Sequence, residues 1–380
     1  MIYADCNSGR GLYPEVADKI SSLLGQHIAN PSQILSPLGQ QARELVEQAR
    51  VDVADLVGAD PNQVIFTSGA TESCFQAILG CYLAREGKTK FIRFALEHPA
   101  VVEACETLKS LGGVSLQVID SSNDGQVEIE DLYKKLDPQT FLVNLMAANN
   151  ETGVCFPWQE LALACSKNQI PFHCDITQWI ARLPFSFRES KIDLVSFSSH
   201  KIGGPQGVGA LVVRSGAKWK PAMPGGGQQN QQRGGTEAVV SIAGFGEAAK
   251  ISKNKVAQSI ARDKFESLVS KQLAGVEFVG KMHQRLPNTS LLIVENVAGN
   301  MLVESLAKKG IIISSGSACN LGAGSRALEQ MGYSERQSRS AIRISFERDA
   351  KPEQAKTVAE RLCQEASRIR LENIKELKNL

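Results

Sequence analysis

The chain has 380 residues, of which 43% are hydrophobic and 22% are charged, a composition typical of soluble globular proteins. This length exceeds what one ordinary hydrophobic core accommodates, so about two domains are expected. The 42 Lys and Arg residues nearly balance the 40 Asp and Glu residues. The resulting net charge of +2 argues against nucleic acid or an anionic membrane as the main partner.

The N-terminal segment MIYADCNSGRGL contains Asp5 and lacks an apolar core, so it does not resemble a signal peptide. No apolar run approaches the length of a membrane span. The nine cysteines are odd in number, and no two have the Cys-x-x-Cys spacing. We therefore expect neither a disulfide framework nor a metal site, and a reducing, cytoplasmic environment.

Short apolar runs alternate with segments of helical periodicity in the first part of the chain. The candidate strands are NQVIFTSG (62–69), TKFIRFALE (89–97), SLQVID (115–120), TFLVNLMA (140–147), QIPFHCD (169–175), KIDLVSFSS (191–199) and GVGALVVR (207–214). Candidate helices between several of them are ATESCFQAILGCYLAREG (70–87), PAVVEACETLKSLG (99–112) and PWQELALACSKN (157–168). Strands separated by helices need crossover connections, which predicts an α/β fold with a mainly parallel sheet covered on both faces.

The texture of the sequence changes after the glycine- and glutamine-rich segment 224–236. A long helical stretch over about 237–273 leads to weaker strand signals and to a charged C-terminal helix from Lys351. We place a domain boundary near residue 255. The prediction is a large ligand-binding domain over 15–255 and a smaller α+β domain formed by 1–14 and 256–380.

Polar residues cluster where five of the candidate strands end. In open α/β sheets, ligands bind beyond the carboxyl ends of the strands. The sequence therefore predicts a ligand site at this edge, and the segments that would form it are Thr67-Ser68-Gly69-Ala70-Thr71-Glu72, Glu97-His98, Asn149-Asn150-Glu151, Asp175 with Gln178, and Ser198-Ser199-His200-Lys201.

The segment TSGATES could bind a phosphate. It predicts a strand, a glycine turn and a helix that begins near Ala70, whose free N–H groups would join the Thr71 hydroxyl. An ordinary helix N-terminus explains the same pattern. Ser198 and His200 point the same way at strand spacing and could complete the anion site. Lys201 would then be a buried amine beside the phosphate.

A lysine, a phosphate cradle and a strand-end carboxylate together match the needs of pyridoxal phosphate. Its aldehyde needs an amine, which Lys201 offers, and its ring nitrogen needs a carboxylate, which Asp175 offers. Gln178 could donate to the ring hydroxyl, and His98 could stack on the ring and move protons. Singly, Asp175 is explained as a helix cap and His98 as an ordinary polar residue. The combination with Lys201 favours the cofactor.

Two further residues stand out in the second half of the chain. Cys319 lies in SSGSACNLGAGS (314–325), whose glycines and serines predict a loop, and an exposed thiol there could act as a nucleophile. A lone free cysteine is more often a small buried apolar residue. Arg343 lies in the apolar strand SAIRISF, where it either binds a substrate carboxylate or forms a structural ion pair.

With these residues, the chain resembles the cysteine desulfurases of the class V aminotransferase group, the type that supplies iron–sulfur cluster assembly. The similarity runs from Tyr3 to about Arg348. The matching stretches are NPS (30–32), FTSGATE (66–72), EHPAV (97–101), NNETG (149–153), HCDITQ (173–178), SFSSHKIGGPQGVGAL (196–211), GGGQQNQQRGGTE (225–237), SSGSAC (314–319) and IRIS (342–345).

The resemblance implies the fold type I of pyridoxal-phosphate-dependent transferases, with a seven-stranded sheet, L-cysteine as substrate, a homodimer and a sulfur-acceptor protein. Lys201 would bind the cofactor and act as general base, and His98 would assist. Cys319 would take the substrate's sulfur as a persulfide and leave alanine. The implied cofactor-binding residues are Ala70, Thr71, His98, Asn150, Asp175, Gln178, Ser198, His200, Lys201 and, from the other subunit, Thr236; the implied substrate-binding residues are Asn30, Asn150 and Arg343.

The sequence departs from the family pattern in several places. Gly9 and Arg10 replace two threonines near the substrate side, Gln229 and Gln231 replace a glutamate and a glycine, and Glu347 replaces a common glycine. Two alternatives therefore remain: a selenocysteine lyase or another class V enzyme with the same cofactor, and a non-catalytic scaffold of the same fold. Replacement of Cys319 by alanine separates a desulfurase from the first alternative.

Overall fold

The computed structural model describes residues 1–315 and 324–378. Its strands are β1 Ile2–Tyr3, β2 Val64–Thr67, β3 Lys90–Phe94, β4 Ser115–Ile119, β5 Thr140–Asn144, β6 Phe172–Asp175, β7 Leu194–Ser198, β8 Gly209–Val213, β9 Val276–Phe278, β10 Thr289–Val294, β11 Ile311–Ile312 and β12 Ala341–Ser345. Its α-helices are α1 Pro14–Leu24, α2 Pro37–Val57, α3 Ala70–Leu83, α4 Pro99–Leu111, α5 Ile129–Lys135, α6 Trp158–Lys167, α7 Val239–Ser252, α8 Ile260–Gln272, α9 Gly299–Lys308, α10 Arg326–Gln330, α11 Glu335–Arg339 and α12 Pro352–Lys378.

The main sheet of the described residues has seven strands in the order β2-β8-β7-β6-β5-β3-β4. Strands β3 to β7 run parallel to one another, whereas β8 runs antiparallel to β2 and β7. All seven strands predicted from the sequence are present. The α/β fold with a mainly parallel sheet is therefore confirmed.

Successive residues of the central strands pack against opposite layers because strand side chains alternate. Leu194 and Leu211 belong to the apolar layer of α3 and α4, whereas Val195 and Val212 belong to the layer that includes α2 and α7. Both layers exclude water, which explains the nearly continuous apolar runs of these strands. The polar strand ends then lie together at one edge of the sheet.

A smaller sheet lies in the last third of the described chain, with the antiparallel order β12-β10-β9. Its apolar core includes Phe265 of α8 and Leu362 of α12. The N-terminus joins this unit through the parallel pair β1 and β11 and through a bridge between Asp5 and Ser345. Residues 5–8 are therefore anchored beside β12, a strand that is distant from them in sequence.

Two helix boundaries differ from the prediction. The stretch 237–273 was predicted as one helix, but α7 ends at Ser252 and α8 begins at Ile260; Asn254, between them, has a φ of +59°, which a helix does not allow. Helix α3 ends at Leu83 rather than at Gly87, because Glu86 and Gly87 have positive φ. The domain boundary near residue 255 falls between α7 and α8 and stays a prediction.

Candidate active site

A cavity of about 680 Å³ opens at the edge of the main sheet where the polar strand ends meet. Its wall contains most of the residues predicted from the sequence, which come from the ends of five strands of the main sheet and from β12. Those residues are Ala70, Thr71, His98, Asn150, Asp175, Gln178, Ser198, His200, Lys201 and Arg343.

The turn before α3 forms one end of the cavity. Gly69, with a φ of +153°, precedes the helix and has no side chain to cap the first-turn N–H groups. The Ala70 N–H donates to Ser198 Oγ at 2.7 Å, which ties this turn to the end of β7. The turn packs so closely on β8 that a Cβ at Gly209 would lie 2.6 Å from Gly69 Cα. The N–H groups of this turn suit a phosphate.

Lys201 ends a short turn of 3₁₀ helix that follows β7. Its Nζ donates to the carbonyl oxygens of Asn7 and Ser8, both at 2.7 Å. Burial, reinforced by the positive charges of Arg182 and Arg343, lowers the pKa of Lys201 to about 8. The amine therefore loses its proton far more easily than an exposed lysine, as imine formation and proton abstraction require.

Asp175 and Gln178 lie at the end of β6. Asp175 Oδ1 accepts from the Thr177 N–H at 2.8 Å, so the carboxylate caps the following turn and also borders the cavity. The Gln178 amide donates to Asn7 O at 3.0 Å, while its Oε1 is buried without a hydrogen-bond partner among the described residues. An unpartnered buried oxygen beside a carboxylate and an amine fits a polar ring ligand.

His98 is the N-cap of α4, where its Nδ1 accepts from the Ala100 N–H at 3.1 Å. Because Nδ1 is an acceptor, the neutral ring carries its proton on Nε2. Burial lowers the pKa of His98; Asp175 opposes this, and Lys201 and Arg326 add to it. His98 is therefore neutral near pH 7. Glu97, before it, is buried and accepts from the Met146 N–H at 2.9 Å; burial and the charge of Asp175 raise its pKa to about 8.

Arg343 forms the opposite wall. One Nη donates to Asp5 Oδ1 at 2.7 Å and to Ser8 Oγ at 2.6 Å, and the other Nη donates to Asn150 O at 2.9 Å. The structural ion pair considered for this residue is thus present. Its Nε has no partner among the described residues, so one donor of the guanidinium remains for a ligand.

Neither Gly9 nor Arg10, where the sequence departs from the family pattern, lines the main cavity. The Arg10 guanidinium lies 4.2 Å from the centroid of the Tyr13 ring and donates to its hydroxyl at 2.8 Å. Arg10 and Glu347, which both depart from the family pattern, line a separate cavity of about 20 Å³ that also borders Lys201. The two departures are therefore neighbours.

Several residues of the cavity wall were not predicted from the sequence. Asn7 and Ser8 enter it because β1 and the Asp5 bridge anchor the N-terminus. Arg326, the first residue of α10, also lines it. Ser325, which caps α10, accepts from the Leu328 N–H at 3.2 Å, and its own hydroxyl donates to Glu151 Oε2 at 2.6 Å. The serine cap before an apolar run was the available signal.

Three predicted site residues are not in this wall. Asn30 is exposed, with its side chain accepting from the Ser32 N–H at 3.0 Å. Thr236 is also exposed, as a residue that serves a second subunit would be. Both stay predictions. Cys319 lies outside the residues that the structure describes. The ends of its segment do lie at the cavity: Gly324 lines it, and Ser314 forms two backbone hydrogen bonds with Arg343.

Within the described ranges, no three or more His, Cys, Asp or Glu side chains are grouped so that they could hold a metal ion. Nor does any helix in that part of the chain combine the length and apolar character of a membrane span.

The chain is similar to known proteins over most of its length. The family model Aminotransferase class-V matches residues 2–358. A cysteine desulfurase of Trichormus azollae is 35% identical over 377 residues, which cover 97% of this chain and 94% of the relative.

Solved structures show the same relationship. A NifS-like protein superposes with a TM-score of 0.89 at 29% identity, covering 96% of this chain and 99% of the other. A NifS-like protein from Rickettsia africae has a TM-score of 0.84 at 28% identity, covering 97% and 99%. Enzymes of this family depend on pyridoxal phosphate, and the residues described above fit that cofactor. The chain belongs to the class V aminotransferase family, as the resemblance to cysteine desulfurases predicted.

Proposed function

We propose that this protein is a pyridoxal-phosphate-dependent cysteine desulfurase, which converts L-cysteine to L-alanine and passes the sulfur to an acceptor protein. The observation that carries the proposal is the cavity in which Lys201, with its pKa lowered to about 8, shares a wall with Asp175, His98 and Arg343. The curated relatives of similar length support the same activity.

The cofactor would be held by residues of the sheet edge. Asp175 would face the ring nitrogen, Gln178 the ring hydroxyl and His98 the ring face, while Lys201 would bind the aldehyde. Pyridoxal phosphate, when bound, supplies a ring that accepts electron density from the substrate Cα. The phosphate would be held by Ala70, Thr71, Ser198 and His200.

Lys201 would remove the Cα proton as general base. With a pKa of about 8, its amine is deprotonated in a useful fraction of molecules near neutral pH, the range in which general bases are most effective. The carbonyl oxygens of Asn7 and Ser8 hold Nζ in place at 2.7 Å. Arg343 and Asn150 would bind the substrate carboxylate through the free Nε and the side-chain amide.

Cys319 would accept the sulfur. Its thiolate would attack the sulfur of the substrate, so that an S–S bond forms and the C–S bond breaks with its electron pair left on carbon. Protonation of that carbon gives alanine, and Cys319 keeps the persulfide. Cys319 is five residues from both Ser314 and Gly324, a span of about 17 Å when extended. Gly324 lines the cavity, and Ser314 is hydrogen-bonded to Arg343, which also lines it.

We further propose that the protein works as a cytoplasmic homodimer for iron–sulfur cluster assembly. The support is an apolar surface that a monomer would leave in water: Ile34, Leu35 and Leu38 are 53%, 94% and 46% exposed, and such clusters mark protein interfaces. The exposed Thr236 would then reach the phosphate of the other subunit.

The test is alanine formation from L-cysteine by the purified, reconstituted chain, together with Cys319→Ala. We expect alanine and a persulfide with the unmodified protein, and loss of both with the variant. Turnover of cysteine that survives in Cys319→Ala would contradict the sulfur-transfer step and favour a selenocysteine lyase. Absence of alanine with the loaded, unmodified chain would contradict the whole proposal.

A further inference from the structure

A chain of buried polar side chains lies directly beneath Asp175. Asn144 of β5 pairs in register with His173 of β6, and Ser196 of β7 pairs in register with Asp175. All of these residues point to the sheet face covered by α3, which adds Cys74. Asn144, His173, Ser196 and Cys74 are at most 1% exposed, so water does not complete their hydrogen bonds.

Hydrogen bonds link the four side chains in the order Asn144, His173, Ser196 and Cys74. His173 Nδ1 lies 3.0 Å from Asn144 Oδ1, and His173 Nε2 lies 3.0 Å from Ser196 Oγ. Ser196 Oγ lies 3.1 Å from Cys74 Sγ. Cys74 Sγ is also 3.8 Å from Asp175 Oδ2, within the range of a sulfur donor.

The protons of this chain follow from its first member. The Asn144 amide nitrogen faces the carbonyl oxygen of Ile92 at 3.4 Å, which can only accept, so Asn144 Oδ1 faces His173. His173 must then donate from Nδ1. Burial lowers the pKa of His173 to about 4, so the ring is neutral and Nε2 accepts the Ser196 proton. Ser196 Oγ can therefore only accept from Cys74.

The single proton of Cys74 is thus shared between Ser196 Oγ and Asp175 Oδ2. Burial, with the negative charge of Asp175, raises the pKa of the Cys74 thiol well above its usual value, so the thiol keeps that proton. A thiol is a weak donor, and this thiol divides its one hydrogen bond between two acceptors. Oδ2 of Asp175 consequently keeps most of its negative charge, whereas Oδ1 has a full hydrogen bond from the Thr177 N–H at 2.8 Å.

We infer that Cys74, Ser196 and His173 are positioning residues that keep the hydrogen bond from Cys74 to Asp175 weak. The Asp175 carboxylate then stays a strong acceptor for the ring nitrogen of the cofactor. The inference rests on the cofactor site of the proposed function. None of the three side chains needs to touch the substrate. The other titratable groups whose charge acts on or from Asp175 are Glu97, His98, Cys174 and Lys201.

The inference makes two variants act with opposite sign. Cys74→Ala removes the only side-chain donor of Asp175 Oδ2 among the described residues, so the hold on the ring nitrogen should strengthen. Ser196→Ala removes the competing acceptor, so the thiol donates to Asp175 alone. The contact between Asp175 and the ring nitrogen should then weaken. A merely structural role would move both variants in the same direction.

The measurement compares two ligands of the full-length chain, pyridoxal phosphate and its 1-deaza analogue, which has carbon in place of the ring nitrogen. The ratio of their dissociation constants isolates the contact with Asp175, because loss of packing weakens both alike. We expect the preference for pyridoxal phosphate to rise about threefold in Cys74→Ala and to fall about threefold in Ser196→Ala. Cys81→Ala, on the same helix and 1% exposed, should leave it unchanged.

His173→Leu is a second route to the same result. Without the ring, the Ser196 hydroxyl is free to donate to Cys74 Sγ, so the thiol proton again turns to Asp175 and the preference should fall. This variant replaces Ser196→Ala should the latter not fold. Ratios that move together, or do not move, overturn the inference while the proposed function stands. Failure of the unmodified chain to bind pyridoxal phosphate overturns both.

Discussion

The two walls of the cavity are built in different ways. The sheet wall consists of residues that end or follow strands of one sheet, such as Asp175 at the end of β6 and Lys201 after β7. The N-terminal wall joins Asp5 and Ser8 to Arg343, residues more than 330 positions apart in sequence. Each sheet residue lies at the end of a strand of the main sheet, whereas Arg343 lies within β12 and its guanidinium is held by an ion pair with Asp5. We therefore expect single substitutions to lower the stability of the fold less in the sheet wall than in the N-terminal wall.

The largest effect is expected in the sheet wall, from Lys201→Ala. Loss of the general base should lower the rate of alanine formation by about 10²–10⁴-fold and remove the adduct that borohydride reduction leaves at this position. Lys191→Ala is the matched control, because this exposed lysine precedes β7 at its other end. An active Lys201→Ala chain would place the chemistry elsewhere in the cavity.

In the N-terminal wall, the expected effect of a substitution is on the free energy of unfolding. Asp5→Asn leaves the guanidinium of Arg343, whose side chain is 2% exposed, without its counter-charge, and the free energy of unfolding should fall by about 3–5 kcal/mol. The control is Asp60→Asn. Its ion pair with Arg188 has the same 2.7 Å length but is more than 60% exposed on both sides, so its loss should cost under about 1 kcal/mol.

Urea unfolding at pH 7 measures both changes. Equal, small losses would mean that Ser8 and the Asn150 carbonyl hold Arg343 without Asp5, and the N-terminal wall would then not depend on this ion pair.

The lowered pKa of Lys201 should also be visible as a pH dependence of stability. The unfolded chain has an ordinary lysine, with a pKa near 10.5, and the folded chain has one near 8. Between these values the unfolded chain binds more protons, so the stability of the folded chain rises with pH. Lys201→Met should therefore be more stable than the unmodified chain, without cofactor, by about 2–3 kcal/mol at pH 7.

That advantage should shrink as the pH rises from 8 towards 10.5. Unfolding of both chains at several pH values checks it, and a difference that is independent of pH would show that Lys201 titrates normally in the fold.

The smallest effect is expected from Arg326→Ala, at the mouth between the two walls. Arg326 lowers the pKa of His98, so its removal should raise that pKa, and loss of a positive charge from the wall should raise the KM for L-cysteine severalfold with little change in kcat. Arg339→Ala is the control, because Arg339 is paired with Glu335 at 2.6 Å and lies outside the wall. A kcat effect larger than the KM effect would place Arg326 in the chemistry.

The sheet wall was predictable from the sequence because the ends of strands have recognisable local sequence patterns. Asp175, Ser198 and Lys201 each follow an apolar run, and the carboxyl ends of parallel strands share one edge. Asn7 and Ser8 were not predictable as partners of Lys201, because their backbone carbonyls, which carry no sequence signal, make the contacts. The break between α7 and α8 was also missed, although Asn254 offered a signal, because asparagine often adopts the positive φ that ends a helix.

The sequence also left open whether Arg343 binds a substrate carboxylate or forms a structural ion pair. An arginine in an apolar strand predicts an anionic partner, but not which one. Only the fold brings Asp5 to 2.7 Å and still leaves Nε without a partner among the described residues.

By itself, the sequence determined the α/β fold, the family and the residues of the sheet edge, because apolar periodicity and strand-end motifs are local properties. Only the tertiary structure decided how acidic Lys201 is, what Arg343 contacts and how Cys74 reaches Asp175. Those properties depend on burial and on distances between residues far apart in the chain, and electrostatic and hydrogen-bond energies change steeply over such distances.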